Sequence, residues 1–309
     1  MTDKLKKRAI VFDTDPGLDD AAAFLLWAEK AGFTPDYIVA ATGNSPMSCV
    51  LKNALILKKY LGLESKIVRG YETPDAEVLM STFHGPDGLA GMSDELVEKL
   101  KLSDAELSDY LSFEAFRQEL AAFEEILVIA VGPVLDLAVM KRDPVIGSRI
   151  TEAYVMGGGL SEFNMPHDTE FNFSRFPEAV KELFESDMKI TLFPLDLTDC
   201  QYLTEAQISE LEAYGTYPEY IRFLRYNRQS NREDNGIDGA VLHDTMPVFY
   251  AIAPEKFELI DTKLLTDAYG HIEENEAGRP VRIAIRAEEG LLFDTMKQIF
   301  QGAAEKEKR

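Results

Sequence analysis

The chain has 309 residues, of which 46% are hydrophobic and 28% charged, and its formal net charge at pH 7 is −22. This composition predicts one large α/β domain over residues 1–309. The negative charge argues against nucleic acid and anionic membrane surfaces as partners, because both would repel the protein. No stretch is long and apolar enough to span a bilayer, and two cysteines are too few for a disulfide framework, which favours a cytoplasmic location.

Short apolar runs alternate with helical patterns along most of the chain. The predicted strands are residues 9–12, 37–41, 66–69, 126–131, 153–156, 189–194 and 281–285, and the predicted helices are residues 20–30, 46–61, 113–122, 135–141, 177–186 and 291–301. Such alternation predicts an open, mainly parallel sheet with helices on both faces. Two consecutive helical patterns, 204–214 and 217–229, indicate a helical excursion near residues 204–230, and the polar segment 231–239 after it predicts a loop.

Four carboxylates, Asp13, Asp15, Asp19 and Asp20, lie within eight positions at the junction of the first predicted strand and helix. The turn-forming pair Pro16-Gly17 separates the two elements. An open α/β sheet binds its ligands at the carboxyl ends of its strands. Carboxylates crowded there repel one another unless a cation neutralises them. The segment therefore predicts a site for a hard divalent metal ion.

Further polar groups follow the later predicted strands. They are Asn44, a loop with Asn164, Glu170 and Asn172, and the pair His243-Asp244. Oxygen-rich and free of sulfur, this set suits calcium or magnesium and argues against zinc. The carboxylates and amides can also bind the hydroxyl groups of a substrate, so the sequence predicts a metal-dependent hydrolase.

Five motifs in a fixed order point to one enzyme family. They are Asp13 to Ala21 (DTDPGLDDA), Gly43-Asn44 followed by Asn53-Ala54, His84 to Leu89 (HGPDGL), Met156-Gly157-Gly158 followed by Asn164, Glu170, Phe171 and Asn172, and His243-Asp244. From about residue 8 to about residue 254, the chain resembles the calcium-dependent nucleoside hydrolases of the inosine-uridine-preferring type. The resemblance implies hydrolysis of ribonucleosides to free base and ribose, in nucleoside salvage, by a homodimer or homotetramer.

The resemblance also implies a role for individual residues. Ca²⁺ would be bound by the carboxylates of Asp15, Asp20 and Asp244 and by the carbonyl oxygen of Leu135. Asp15 would take a proton from the calcium-bound water, and His243 would protonate the departing base. Asp19, Asn44, Asn164, Glu170 and Asn172 would bind the ribose hydroxyls, Met156 would line the sugar pocket and His84 would lie near the base. The chemistry agrees, because cleavage makes the sugar positive and the base negative.

The sequence departs from the family pattern at several positions, among them Thr245, where proline is common. The segment Gly132 to Asp136 reads GPVLD where the family commonly has GPLTN, which adds an acid beside the carbonyl ligand. Phe176 stands where an aspartate usually caps the next helix, so the loop that carries Asn172 loses a capping oxygen. Asp199 occupies a position where histidine is common.

Two other functions stay open from the sequence. The run Phe12-Asp13-Thr14-Asp15 after a strand also fits a haloacid-dehalogenase-like phosphatase, with Asp13 as nucleophile and Mg²⁺ as the metal. A non-catalytic nucleoside- or sugar-binding protein of the same fold is the second alternative. Asp19 and Asp20 could also serve only as helix caps. The motifs do not select purine over pyrimidine bases, because the walls of the base pocket are expected to come from the segments around residues 83–92 and 227–238.

Overall fold

The computed structural model describes residues 6–30, 34–72 and 82–308. Its strands are β1 (Lys6–Thr14), β2 (Tyr37–Ala40), β3 (Lys66–Arg69), β4 (Phe123–Ala130), β5 (Ile150–Met156), β6 (Lys189–Phe193), β7 (Tyr202–Leu203), β8 (Ala240–Val241), β9 (Phe257–Thr266), β10 (Ile272–Glu274) and β11 (Arg279–Ala287). Its helices are α1 (Leu18–Glu29), α2 (Met47–Leu61), α3 (Ser93–Leu100), α4 (Phe113–Leu120), α5 (Leu135–Lys141), α6 (Phe171–Arg175), α7 (Pro177–Glu185), α8 (Leu195–Thr198), α9 (Glu205–Glu212), α10 (Pro218–Asp234), α11 (Thr245–Ile252) and α12 (Leu291–Glu307).

Nine strands form one sheet in the order β10-β9-β11-β6-β5-β4-β1-β2-β3. The pairs from β3 across to β11 are parallel, whereas β9 and β10 join in antiparallel pairs. The predicted open, mainly parallel α/β sheet is therefore confirmed. In the described residues, no helix combines the length and the hydropathy that a membrane span requires.

The sheet is covered on both faces, which explains why its central strands are almost continuously apolar. Neighbouring residues of a strand point to opposite faces. Phe12 of β1 packs against Phe24 and Trp27 of α1, with ring centroids 5.7 and 5.8 Å apart. Val11 belongs instead to the apolar cluster on the other face, together with residues of α4, α5 and α7. Strands buried on both sides must be apolar on both sides.

The order of the strands creates a crevice beside β1. The chain runs from β1 outward to β2 and β3, and then returns to form β4 on the opposite side of β1. The connections that leave β1 and β4 therefore diverge, and the space between them opens at the carboxyl ends of the strands. Doubly wound sheets bind ligands at such a switch point.

The helical excursion predicted near residues 204–230 is formed by α9 and α10. The short strands β7 and β8, which precede α9 and follow α10, pair antiparallel with each other. The prediction of a loop over residues 231–239 is wrong for residues 231–234, because α10 continues to Asp234. The reason is local: Asn231 is buried, and its side-chain amide donates to the Asn227 carbonyl and side-chain oxygens within the helix.

The antiparallel strands β9 and β10 and the helix α3 were not predicted. The residues Asp261-Thr262-Lys263 interrupt the apolar pattern of β9, which is mostly exposed or half-buried. Its conformation depends on pairing with β11, from Arg279 opposite Leu264 to Ala287 opposite Phe257. Pairing between distant segments leaves no periodic signal in either segment alone.

Candidate active site

A cavity of about 430 Å³ lies at the switch point, at the carboxyl ends of the strands. Among its lining residues are Asp15, Asp19, Asn44, His84, Met156, Asn164, Glu170, Asn172, His243 and Asp244. The structure thus brings together residues separated by more than 200 positions in the chain. Two residues predicted for the site, Asp20 and Leu135, do not line the cavity.

Asp15 follows β1 directly, and its carboxylate lies in space between Gly43 and Gly132. A side-chain carbon built on Gly43 would lie 2.0 Å from Asp15 Oδ2, and one on Gly132 would lie 2.8 Å from Oδ1. The backbone N–H of Asn44 donates to Asp15 Oδ2 at 2.7 Å. Glycine is therefore required after β2 and after β4 because the Asp15 carboxylate occupies the space that a side chain would take.

Asp20 is fully buried in the first turn of α1. The Thr14 hydroxyl donates to its Oδ1, and the Gly17 N–H donates to its Oδ2 at 2.8 Å. Asp20 therefore does cap α1, as one interpretation of the sequence held. It also belongs to a cluster with Asp19 and Asp244, whose carboxylate oxygens lie within 4.8 Å of one another. This cluster contains Asp19, whereas the predicted set of carboxylate ligands contains Asp15 together with Asp20 and Asp244.

Burial raises the pKa of each carboxyl group in this cluster. Burial and the nearby Asp20 carboxylate raise the pKa of Asp19 to about 8. Burial and the charges of Asp19, Asp20 and Asp15 raise the pKa of Asp244 well above its usual value. Within the described residues, the buried Oδ1 of Asp19 has no hydrogen-bond partner. An all-oxygen donor set with an unsatisfied oxygen and strong mutual repulsion can bind a hard divalent metal ion.

Leu135 is the first residue of α5 and follows Val134, the helix cap, three positions after the Gly132 that adjoins Asp15. The added acid beside it, Asp136, is buried, and its Oδ1 accepts the backbone N–H of Tyr71 at 2.5 Å. Burial raises the pKa of Asp136 to about 7. The departure at this position thus adds a second buried carboxyl group, whose charge contributes to the raised pKa of Asp13.

Asp13 is fully buried and does not line the cavity. Burial, followed by the charge of Asp136, raises the pKa of Asp13 well above its usual value. A nucleophile must reach its substrate. The structure therefore does not favour the phosphatase alternative, which needs Asp13 to attack a phosphoester.

The loop after β5 is folded back by side-chain hydrogen bonds. Glu170 caps α6 by accepting the N–H groups of Asn172 and Phe173 at 2.8 and 3.1 Å, and it also accepts the N–H of Gly158 at 2.9 Å. The Asn172 amide donates to the Val131 carbonyl at 2.8 Å. Burial raises the pKa of Glu170 to about 7. These contacts aim one carboxyl group and one amide into the cavity.

Two further residues of this region clarify the sequence predictions. Asn164 is exposed, and its Oδ1 accepts the Phe171 N–H at 2.9 Å. Phe176 precedes α7 without a side-chain cap, as its sequence predicts. The missing cap does not release Asn172, because that side chain is bonded to the end of β4 through Val131.

The two histidines of the cavity have different partners. His243 Nδ1 lies 2.9 Å from the Thr198 hydroxyl and 3.8 Å from Asp199 Oδ1. His84 Nδ1 accepts the backbone N–H of Leu18 at 3.1 Å. Burial lowers the pKa of His243 to about 4, and burial together with the charge of His243 lowers the pKa of His84 to about 3.

Some residues of the cavity wall were not predicted: Thr82, Val131, Met165, Phe171 and Leu195. Val131 and Leu195 follow the ends of β4 and β6, so their strand positions were a usable signal. Phe83 and the residues at the end of α10, Asp234 and Asn235, also line the cavity, and they lie in the segments 83–92 and 227–238 that the sequence indicates as pocket walls. The Ser230 hydroxyl fixes α10 there by donating to the Phe83 carbonyl at 2.8 Å.

Comparisons with known proteins agree with this geometry. Pyrimidine-specific ribonucleoside hydrolase RihB of Shigella sonnei (strain Ss046) is 27% identical over 256 residues, covering 81% of this chain and 80% of the relative. Among solved structures, the plant nucleoside hydrolase PpNRh1 has a TM-score of 0.81 at 22% identity, and a purine-preferring ribonucleoside hydrolase from Gardnerella vaginalis has 0.80 at 20% identity. Each covers 96% of this chain and 99% of its own. The family model of inosine-uridine preferring nucleoside hydrolases matches residues 10–299, and the chain belongs to that family.

Proposed function

We propose that the cavity binds a ribonucleoside and that the protein hydrolyses its N-glycosidic bond to free base and ribose. The observation that carries the proposal is one cavity lined by carboxylates and by His243, in a chain that belongs to a nucleoside hydrolase family. Cleavage of this bond needs negative charge beside the sugar and a proton donor beside the base. Both groups face the same space of about 430 Å³.

We propose Ca²⁺ as the cofactor, held by Asp15, Asp20, Asp244 and the Leu135 carbonyl. The all-oxygen donor set and the raised pKa values of Asp15, Asp20 and Asp244 support this assignment. Asp19 adjoins the same carboxylates and would bind a ribose hydroxyl. A bound calcium ion would supply Lewis-acid activation of water and a positive charge for the sugar hydroxyls.

Asp15 acts as the general base. The oxygen of water attacks the anomeric carbon, one water proton passes to the Asp15 carboxylate, and the electron pair of the glycosidic bond leaves with the base. Burial and neighbouring acids raise the pKa of Asp15 in the absence of a metal ion. The backbone N–H of Asn44 holds Oδ2 of this carboxylate at 2.7 Å.

His243 gives a proton to the departing base. Burial lowers the pKa of His243 to about 4, so its protonated form is a stronger acid than an exposed imidazolium. That form becomes scarcer as pH rises above this pKa. Negative charge that develops on the base favours the protonated ring electrostatically during cleavage.

The remaining lining residues hold the sugar. We assign the ribose hydroxyls to Asp19, Asn44, Asn164, Glu170 and Asn172, with Met156 against the sugar and His84 near the base. Holding the sugar beside Asp15 replaces a random encounter with a fixed orientation. We further propose one domain, a homodimer or homotetramer, and a cytoplasmic role in nucleoside salvage.

The first prediction concerns the hydrolysis reaction and its proposed general base, Asp15. Purified protein should release base and ribose from inosine or uridine, and Asp15→Asn should lower kcat/KM by roughly 10²–10⁴-fold. The exposed Asp104→Asn should retain full activity. Chromatography of the products measures both, and circular dichroism checks the fold. Full activity in Asp15→Asn, or an unchanged rate after calcium chelation, would contradict the mechanism.

A second prediction tests the space around Asp15. Gly43→Ala should weaken Ca²⁺ binding by about tenfold or more, because the new methyl group would displace the Asp15 carboxylate. Gly302→Ala, where no atom lies within 4 Å of the added carbon, is the matched control. Titration calorimetry with Ca²⁺ gives the affinities. Equal affinities for the two variants would remove Asp15 from the metal site.

The raised carboxyl pKa values give a third prediction, on stability and pH. A group whose pKa is higher in the folded than in the unfolded state stabilises the fold below its unfolded pKa, and this stabilisation is lost as pH rises through the folded pKa. For Asp19 this window runs from 3.8 to about 8. Without calcium, the free energy of unfolding should therefore fall by at least about 2 kcal/mol between about pH 5 and pH 8.

Saturating Ca²⁺ should reverse this loss, because the ion neutralises the ionised carboxylates. Denaturant unfolding at both pH values, with calcium or with a chelator, measures the effect. Calcium that stabilises the protein less at the higher pH than at the lower one would oppose the proposed site.

A fourth prediction addresses His243. His243→Ala should lower the rate of hydrolysis of inosine or uridine by roughly 10²–10⁴-fold. It should lower the rate of hydrolysis of a nitrophenyl riboside far less, because nitrophenolate leaves without a proton. His167→Ala, at an exposed position, is the control. Steady-state kinetics on both substrates decide the matter. Equal losses on the two substrates would exclude His243 as the proton donor.

A further inference from the structure

His84 contacts the first residue of α1. Its Nδ1 accepts the backbone N–H of Leu18, the first residue of that helix, at 3.1 Å. This amide belongs to the first turn, whose N–H groups have no partner inside the helix. A side-chain carbon on Gly17 would lie 2.6 Å from His84 Nδ1, so glycine at this position lets the imidazole reach the helix end.

The hydrogen bond from Leu18 determines which ring nitrogen carries the proton. An amide N–H can only donate, so Nδ1 of His84 must offer its lone pair. The other neighbour of Nδ1 is Asp19 Oδ1 at 3.8 Å, which is too far for a hydrogen bond. A neutral ring with a bare Nδ1 holds its proton on Nε2.

The surroundings of His84 oppose a second proton. Protonation of Nδ1 would leave the buried N–H of Leu18 without an acceptor. It would also place a positive charge at the positive end of the α1 dipole. Burial and the charge of His243 lower the pKa of His84 to about 3, in agreement with these contacts. Both imidazoles line the same cavity.

We propose that the Leu18 backbone fixes His84 as a neutral Nε2–H donor, which binds the leaving base and does not deliver a proton. This inference rests on the proposed function, which places the base beside His243. Purines and pyrimidines carry a ring nitrogen or a carbonyl oxygen next to the glycosidic bond, and either can accept from Nε2. The hydrogen bond strengthens as negative charge develops on the base, so it favours the transition state over the bound substrate.

Nitrogen-15 NMR of the full chain with labelled histidine reads the tautomer directly. The chain has four histidines, and His84→Asn identifies the His84 signals by difference. We expect a bare Nδ1 and a protonated Nε2, both unchanged between about pH 5 and pH 8. A protonated Nδ1, or a ring that titrates in this window, would overturn the inference.

Kinetics test the role of the donor with two matched variants. The side-chain oxygen of His84→Asn can still accept from Leu18, but this variant lacks the distal donor, whereas His84→Gln carries an N–H near the position of Nε2. His84→Asn should lower kcat/KM for inosine or uridine by roughly 10- to 100-fold at every pH in the window, and His84→Gln should recover part of the loss. In a nitrophenyl riboside the ring positions next to the carbon that bears the glycosidic oxygen are C–H groups, which cannot accept from Nε2, and nitrophenolate leaves without this help, so its rate should change by less than about threefold.

The outcomes separate this inference from the proposed function. A loss that shrinks as pH rises in His84→Asn would make His84 a titrating acid, and equal losses on both substrates would remove its contact with the base. Either result overturns the donor role while hydrolysis by the unaltered protein stands. If the unaltered protein released no base from any ribonucleoside, the proposed function itself would fail, whatever tautomer the NMR showed.

Discussion

Mutual repulsion among buried carboxyl groups at the end of β1 is the constraint on which the site depends. Asp15, Asp19, Asp20 and Asp244 are buried together, and burial raises the pKa of each. Such a cluster is costly for a fold unless a cation or protons neutralise it. We infer that the protein tolerates this cost because the same charges bind calcium and later stabilise a positively charged sugar.

The sheet provides the rigid frame that holds these charges in place. The strand order around β1 and β4 leaves a crevice at the switch point, and Gly43 and Gly132 leave room for Asp15 within it. Helix α1 begins at the same edge, so its first-turn amides orient Asp20 and His84. One strand end and one helix start therefore position a proposed metal ligand, the proposed general base and the imidazole that we propose binds the leaving base.

Much of this could be predicted from the sequence, because local signals carried it. The apolar runs and the acids around Pro16-Gly17 predicted the sheet and the cluster, and the motifs predicted the family and its reaction, which the family match confirms. Signals between distant segments were absent. The pairing of β9 with β11 depends on tertiary contacts. The tautomer of His84 likewise follows from an amide 66 positions away.

The central claim is that one calcium ion joins carboxylates from the two ends of the chain. A crystal structure of the protein grown with Ca²⁺ tests it most directly. The account predicts a single ion with carboxylate oxygens of Asp15, Asp20 and Asp244 and the carbonyl oxygen of Leu135 at about 2.3–2.6 Å. An ion bound elsewhere, or carboxyl groups that stay paired with one another in saturating calcium, would contradict it.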